Sequence, residues 1–224
     1  MATSTVENYL KQLYLEQHAA AGDRVTTGRL ATAMGVVPGT ATSMVKALSD
    51  SGLVEYEPRG GVRLTGRGKQ LALHVLRRHR LVELFLVKTL GLDWSEVHVE
   101  ADNLEHVISE RVLERMDAIL GFPTVDPHGD PIPSPQGQLH EPTHPSLADC
   151  KVGEPCKIAR VLDQEPEFLK FVDRQGLMPG AVVTVESREA AAEAVKIRIG
   201  RRAAVSLGLS AAAKILVQAA GTAK

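Results

Sequence analysis

The sequence predicts a mainly α-helical chain with a small β domain: a winged helix-turn-helix, a helical middle and a strand-rich C-terminal part. Three observations predict it. Apolar residues recur at helical spacing through the first 121 residues, interrupted by two short alternating segments. Seven of the twelve prolines lie between Pro123 and Pro145, too dense for a regular helix, so this stretch reads as a linker. Beyond it, VVTVES and VKIRI alternate as strands do, fitting a small barrel.

The elements follow in order. Val6, Tyr9, Leu10, Leu13 and Tyr14 predict a first helix over residues 5–18. Thr26 or Thr27 can cap a second, GRLATAM, with Leu30, Ala31 and Met34 facing inward. Gly35-Val36-Val37 makes a short turn. Pro38 can open a third helix, because its missing N–H is not needed there, and Gly52 is placed to end it. Two short helices joined by a tight turn form a helix-turn-helix. LVEYE and VRLT then read as strands joined at PRGG, the wing.

Such a second helix can enter a major groove. Its early residues, Pro38, Gly39, Thr40, Thr42 and Ser43, are small, and Lys46 follows one turn on. Small side chains allow close approach, and a threonine methyl can touch a thymine methyl. Arg59 and Arg63 on the wing suit phosphate or minor groove. Charge agrees: residues 1–80 hold 11 Lys/Arg against 6 Asp/Glu, although the whole chain carries only −1.

Composition excludes other classes. The 224 residues are 44% hydrophobic and 24% charged, as in soluble globular proteins. No apolar run approaches the ~20 residues that span a bilayer. The start, MATSTVENYLKQ, lacks the features of a secretory signal. Two cysteines, Cys150 and Cys156, cannot build a disulfide framework or a four-thiolate zinc site, and read as small core or boundary residues. A reducing cytoplasmic setting and no membrane association are expected.

The helical middle concentrates ligand-type residues. Thr65 can cap a long helix from Gly66 to Leu90, which carries His79 and Glu83 four apart on one face. After Gly91-Leu92-Asp93, the segment SEVHVEADNLEHVISERVLERM holds His98 and the run Asp102-x-x-Glu105-His106. On a helix, 102, 105 and 106 project from one side, a spacing suited to one metal ion. Such sets also occur on solvated helix faces, and spacing alone leaves both readings open. Beyond the linker, Glu167 to Val172 reads as a short amphipathic helix.

With these residues in view, the chain resembles the diphtheria toxin repressor family of metalloregulators, in its long three-domain, manganese-responsive form. A winged helix precedes RRHRLVELFLVKTLGLDWSEVHVEADNLEHVISERV, whose most specific part is HRLVE…GLD…VH.EA…LEHV. The segment GLMPGAVVTVESRE…VKIRIGRRAAVSLGLSAAAKILV looks like the SH3-like FeoA-type domain of longer members. The resemblance covers nearly the whole chain. It implies a homodimeric, metal-activated transcriptional repressor that binds palindromic operator DNA and uses its middle helices to dimerise. The implied domains are 1–73 winged helix-turn-helix, 74–122 metal-binding and dimerisation, 123–149 linker, and 150–224 FeoA-type.

The resemblance also implies ligands. Asn8, Asp102, Glu105 and His106 match the primary metal site. Iron-responsive members place methionine and cysteine where this chain has Asn8 and Asp102, whereas manganese-responsive members place oxygen ligands there. Mn(II) is therefore the expected activator, with Fe(II) the alternative. Asn8 stands where manganese members usually have aspartate, so affinity should be lower or a water should intervene. Short manganese regulators need a carboxylate one turn beyond the first ligand to bridge two ions; this chain has Lys11 there. His79, Glu83 and His98 match an ancillary site, although relatives differ over which site the first serves. Asp126 and His128 match a linker pair used by long manganese-type members, and Asp163 is the third-domain candidate. His140 and His144 read as linker histidines, and His18 and His74 as surface or packing residues.

Two other classes compete. A metal-independent winged-helix regulator sensing a small organic ligand would bind DNA in the presence of chelator. A metallohydrolase would need a nucleophile motif, a Gly-rich phosphate loop or H-E-x-x-H, and the sequence has none.

Overall fold

The computed structural model describes residues 3–19 and 23–220. They divide into two compact units. The first comprises residues up to 79 with 102–114 and 132–139; the second comprises 80–101, 115–131 and 140 onwards.

In the first unit, α1 (Ser4–Ala19) buries Tyr9, Leu10, Leu13 and Tyr14 on one face. Of the two threonines that could cap α2 (Thr27–Ala33), Thr26 does so, accepting from the Arg29 N–H at 3.1 Å. α3 (Pro38–Asp50) opens on its proline and buries Ala41, Val45 and Leu48. It closes as expected at Gly52, left-handed at φ 72°, with the Leu53 N–H returning to the Leu48 carbonyl at 3.0 Å.

β1 (Val54–Glu57) and β2 (Gly61–Leu64) pair antiparallel from Val54–Leu64 to Glu57–Gly61, which makes the wing. Gly61 is obligatory: φ is 95°, and an added Cβ would lie 2.7 Å from the Val25 carbonyl oxygen. α4 (Gly66–Leu90) is capped by Thr65, whose hydroxyl accepts from the Gly68 N–H at 3.1 Å. Its first turns add Ala72, Leu73 and Leu76 to a core shared by α1, α2, α3 and the wing. Each fully buried leucine contributes ~1.5–3 kcal/mol, so α1 and α3 are held as one body.

The middle segment departs from the expected single helix. α5 (Val97–Leu104) stops early, and α6 (Glu110–Ile119) begins after a break. Glu105 and His106 lie in the turn between them, not on a helix face. The Val107 and Ile108 N–H groups both return to the Leu104 carbonyl, a tightened last turn that aims residues 105 and 106 back toward α1.

In the second unit, β3 (Pro155–Val161), β4 (Val182–Glu189), β5 (Ala194–Ile199), β6 (Val205–Gly208) and β7 (Ile215–Ala219) form an antiparallel sheet. Their order is β6-β5-β4-β3-β7. Alternate residues Val183, Val185, Val195, Ile197 and Ile199 face a core closed by α7 (Pro166–Gln175) and α8 (Leu209–Ala213). α7 buries Leu169 and Val172, as its amphipathic pattern predicts. Cys156 joins this core, with Cys150 packed beside it.

The proline-rich stretch is more than a linker. Asp126, His128, Asp130 and Ile132 are buried. Val125 bridges Pro131, and the Val161 N–H donates to the His128 carbonyl at 2.9 Å, tying the turn to β3. Gly129 permits the approach: at φ 90°, a Cβ would lie only 2.0 Å from the Ala159 carbonyl oxygen. Proline density excludes helix, but it does not exclude a packed turn.

Candidate metal centres and DNA-contact face

Asn8 comes from α1, and Asp102, Glu105 and His106 come from the end of α5 and its following turn. His106 Nε2 lies 2.8 Å from Asn8 Oδ1 and 3.3 Å from Glu105 Oε1. Its other nitrogen, Nδ1, lies 2.7 Å from Glu7 Oε2. Both ring nitrogens thus face oxygen acceptors; with the proton on Nδ1 donated to Glu7, Nε2 would turn a lone pair toward a cation shared with Asn8 and Glu105, an arrangement common behind metal-bound histidine. Sequence reasoning missed Glu7; the only signal was its place beside Asn8.

His79 joins this set. Its Nδ1 lies 2.7 Å from Glu105 Oε2 and 3.2 Å from Asp102 Oδ1. Lys11 enters from α1, with Nζ 2.8 Å from both Asp102 Oδ1 and Glu105 Oε1. Glu105 is wholly buried. Burial raises the pKa of Asp102, but the His79 hydrogen bond and the Lys11 charge outweigh it and hold the carboxyl well below the usual carboxylate range.

A second set lies in the second unit. Glu83 from α4, and Asp126 and His128 from the proline-rich turn, bring ligand atoms within 4.8 Å of one another, all buried. His128 Nε2 lies 2.9 Å from the Trp94 carbonyl oxygen, and its ring stacks on the Trp94 indole. A carbonyl only accepts, so Nε2 carries the proton and Nδ1 a lone pair. That buried Nδ1 has no hydrogen-bond partner among the described residues. It faces Glu83 Oε2 at 3.9 Å and Asp126 Oδ1 at 4.0 Å. A bare nitrogen between two carboxylates fits a cation that all three would share.

Asp126 Oδ1 accepts from the His128 and Asp130 N–H groups at 2.8 and 2.9 Å, which shapes the turn. Burial, then the charges of Asp130 and Glu83, push its carboxyl well above the usual range. Arg80 offsets this only in part, its Nε being 3.9 Å from Asp126 Oδ2. The exposed His98 places Nδ1 3.1 Å from Glu83 Oε1. The Trp94 carbonyl, Arg80 and Asp130 carried no ligand-type pattern in the sequence and were missed.

Asp163 falls elsewhere. Its Oδ2 accepts from Lys214 Nζ at 2.7 Å, and its Oδ1 accepts from the Glu165 N–H at 3.0 Å. It lines an open pocket of about 530 Å³ with His98, Gln164 and Lys214. Asp163 is not among the residues whose ligand atoms gather with those of Glu83, Asp126 and His128.

The DNA-contact candidates are exposed or half-buried. Pro38, Gly39, Thr40, Ser43 and Lys46 are exposed on α3, and Thr42 is half-buried. Thr42 Oγ1 donates to the Pro38 carbonyl at 2.8 Å. Arg59 is exposed at the wing tip. Arg63 is instead bound to Glu55 and Asp23, at 2.8 and 2.6 Å, so it acts within the wing.

Family models match along the chain: the iron dependent repressor N-terminal DNA binding domain over residues 1–62, the iron dependent repressor metal binding and dimerisation domain over 65–134, and the FeoA domain over 146–219. The iron-dependent repressor IdeR of Mycobacterium tuberculosis is 33% identical over 198 residues, covering 82% of this chain and 84% of that protein. The chain belongs to the diphtheria toxin repressor family.

This member of the family is thus a metal-dependent, DNA-binding transcriptional repressor with a dimerisation domain, and not an enzyme. Among solved structures, a manganese-dependent transcriptional repressor in complex with manganese is similar at TM-score 0.84 and 39% identity, covering 96% of this chain and 99% of that one. ScaR with bound Cd2+ is similar at TM-score 0.76 and 31% identity, with 96% and 99% covered. No described helix is long and apolar enough to cross a membrane.

Proposed function

We propose that this repressor is activated by Mn(II), held by Asn8, Asp102, Glu105 and His106, and that Glu83, Asp126 and His128 form an ancillary site with His98 at its edge. The observation that carries the reading is the donor chemistry: carboxylate and amide oxygen with imidazole, and no sulfur. Such donors suit Mn(II) better than softer ions. Burial and the neighbouring Cys150 push the Cys156 thiol up to about 12, and burial raises that of Cys150 as well, so both favour the protonated form. The structural neighbour bound to manganese supports the same metal.

The ion supplies a shared positive charge that favours one arrangement of its ligands. The rest follows from the chain itself. Asn8 sits on α1, whose buried face packs into the core that also holds α3 and the wing. Fixing Asn8 against His106 therefore fixes the recognition surface relative to the 102–106 turn. Glu7 keeps the His106 ring in register by accepting from its Nδ1–H. In a homodimer, two such surfaces must meet successive major grooves of a palindromic operator, about 34 Å apart. Moving the population from 1:99 to 99:1 competent needs ~5.5 kcal/mol of differential metal affinity.

The test is operator binding titrated with Mn(II), with Fe(II) without oxygen, and with chelator, at fixed salt. The expected result is binding at lower free Mn(II) than Fe(II), lost in chelator. Asp102→Ala and His106→Ala should abolish metal-dependent binding and leave the dimer. Earlier activation by Fe(II) would move this chain to the iron-responsive side, as the name of its mycobacterial relative suggests. Binding that survives chelator would remove the metal from the mechanism.

A further inference from the structure

We propose that the outward face of the C-terminal sheet is a second DNA-contact surface. On it Lys157, Lys196, Arg198, Arg201 and Arg202 hold the phosphates of duplex flanking the operator, without reading bases. The proposal rests on the DNA binding of the family and on no assignment of the metal. Charge first points to it. Residues 150–224 hold 12 Lys/Arg against 8 Asp/Glu, whereas residues 81–149 hold 3 against 13. The positive excess of the winged helix is therefore repeated at the other end of the chain, across an acidic middle.

Register puts the strand cations on one face. Val183, Val185, Val195, Ile197 and Ile199 point into the core, so their alternates point out. Lys157 of β3 stands opposite Val182 of β4. Thr184 and Ser187 of β4 stand opposite Arg198 and Lys196 of β5, and Lys196 stands opposite Ser206 of β6. Lys157, Lys196, Arg198 and Ser206 are exposed. Lys157 is two strands from Arg198, about 10 Å, and Lys196 is about 7 Å from Arg198 along β5. β5 then runs into a turn that adds Arg201 and Arg202, both exposed. The turn is fastened to the sheet. The Arg202 N–H donates to the Ile199 carbonyl at 3.0 Å, and Arg198 Nη1 donates to the Arg202 carbonyl at 3.2 Å.

The described strands put two carboxylates on this face, so it keeps a positive excess. Glu189 stands opposite Ala194, at the far end of β5 from the arginine turn. Glu186 lies among the cations: its Oε1 accepts from Arg198 Nε at 2.6 Å, and its Oε2 is 4.0 Å from Lys196 Nζ. Lys157, Arg201 and Arg202 enter no ion pair among the described residues. Cations interleaved with the Thr184, Ser187 and Ser206 hydroxyls suit phosphate oxygens, which accept from both. These strands carry no aromatic side chain on which a base could stack, which favours a duplex backbone over a single strand. Tethered to the winged helix, the face meets DNA at high effective concentration, so weak phosphate contacts add affinity without adding specificity.

The experiment measures binding of the full chain, with saturating Mn(II), to operator duplexes with minimal flanks or with flanks longer by about 15 base pairs, across a range of salt. The parent should bind the longer duplex roughly tenfold more tightly and with a steeper salt dependence. Lys157→Gln, Arg201→Gln and Arg202→Gln combined should match the parent on the short duplex and lose the gain on the long one. Its logarithmic salt slope on the long duplex should fall by up to ~2.7, for three contacts at ~0.9 each. Lys88→Gln, Lys151→Gln and Lys170→Gln combined remove the same charge away from this face and should keep the gain. A second arm uses a random-sequence duplex of the longer length without metal, where the first variant should again show the lower slope. That arm does not depend on which ion activates the chain. The changed residues are exposed, and melting verifies the fold. Arg201→Glu with Arg202→Glu, confined to the turn, repeats the test if the first variant melts early. A parent without the flank gain, an unchanged slope in the first variant in either arm, or an equal loss in both triple variants would overturn the proposal. Capture of the parent by anionic-lipid vesicles without a flank gain would overturn it in favour of a membrane surface.

Discussion

Two of the proposed ligand histidines are oriented by what stands behind them. His106 has Glu7 at Nδ1, and His128 has the Trp94 carbonyl at Nε2. Groups behind a ligand commonly set metal affinity by 10- to 100-fold. Glu7→Gln should therefore weaken Mn(II) binding at the first set by about that factor, measured by calorimetry with the second set silenced, with little change in metal-free melting. An unchanged affinity would reduce Glu7 to its ion pair with Arg78, 3.6 Å away. Asp126 makes the opposite case. Its folded pKa is raised, so the folded state favours the protonated form. The metal-free protein should lose stability as pH rises from the ordinary aspartate value, about 3.9, through the raised one. Asp126→Asn keeps the acceptor for the His128 and Asp130 N–H groups and removes that loss. Its metal-free form should melt higher than the parent at pH 7, and by a smaller margin at pH 4, while metal added at pH 7 raises its transition less. A lower melting temperature for Asp126→Asn at pH 7 would contradict the assigned cost of the buried charge.

Elements were legible where local chemistry decided them. Apolar spacing placed α1, the Pro38 start and Gly52 end placed α3, and Thr65 placed the start of α4. What eluded the sequence depends on distant contacts. Nothing local separates a helix through Glu105 from one that stops at Leu104, because the difference lies in where 105 and 106 find ligand-type neighbours on α1. The same holds for residues 125–131: the seven prolines between 123 and 145 announce an extended chain, but only β3 explains why His128 and Gly129 are buried. Asp163 shows the converse, a carboxylate chosen for its type that the fold gives to Lys214. The recognition surface belongs to this scale too, since α3 and the wing act as one rigid face. Lys46 is exposed on α3, and a flexible ammonium there suits a phosphate contact. Lys46→Ala should weaken binding about equally for specific and nonspecific DNA and reduce the logarithmic salt slope by ~1. A change confined to the operator would instead mean that Lys46 reads a base.

In the whole molecule, the two proposed metal sets depend on different parts of the chain. The first is built from α1, His79 of α4 and the 102–106 turn, all within the first unit. The second requires the proline-rich turn, which is secured by the Val161 N–H on the His128 carbonyl and by Gly129 against Ala159 and Arg160 of β3. A chain ending at residue 149 loses those anchors. His128 would no longer be held between Glu83 and Asp126, and the turn would gain the freedom of an unpacked loop, at ~1–2 kcal/mol of entropy for each residue that must then be ordered. Truncation should therefore abolish Mn(II) binding at the second set and leave one ion at the first. DNA binding should persist in excess Mn(II), with its activation midpoint moved to higher free metal, because metal and DNA binding are linked. Both quantities come from dialysis and operator titration of the same preparation. An unchanged midpoint alongside a lost ion would show that the C-terminal domain carries a metal site without regulatory effect. Loss of both ions would mean that the first set also depends on the sheet domain.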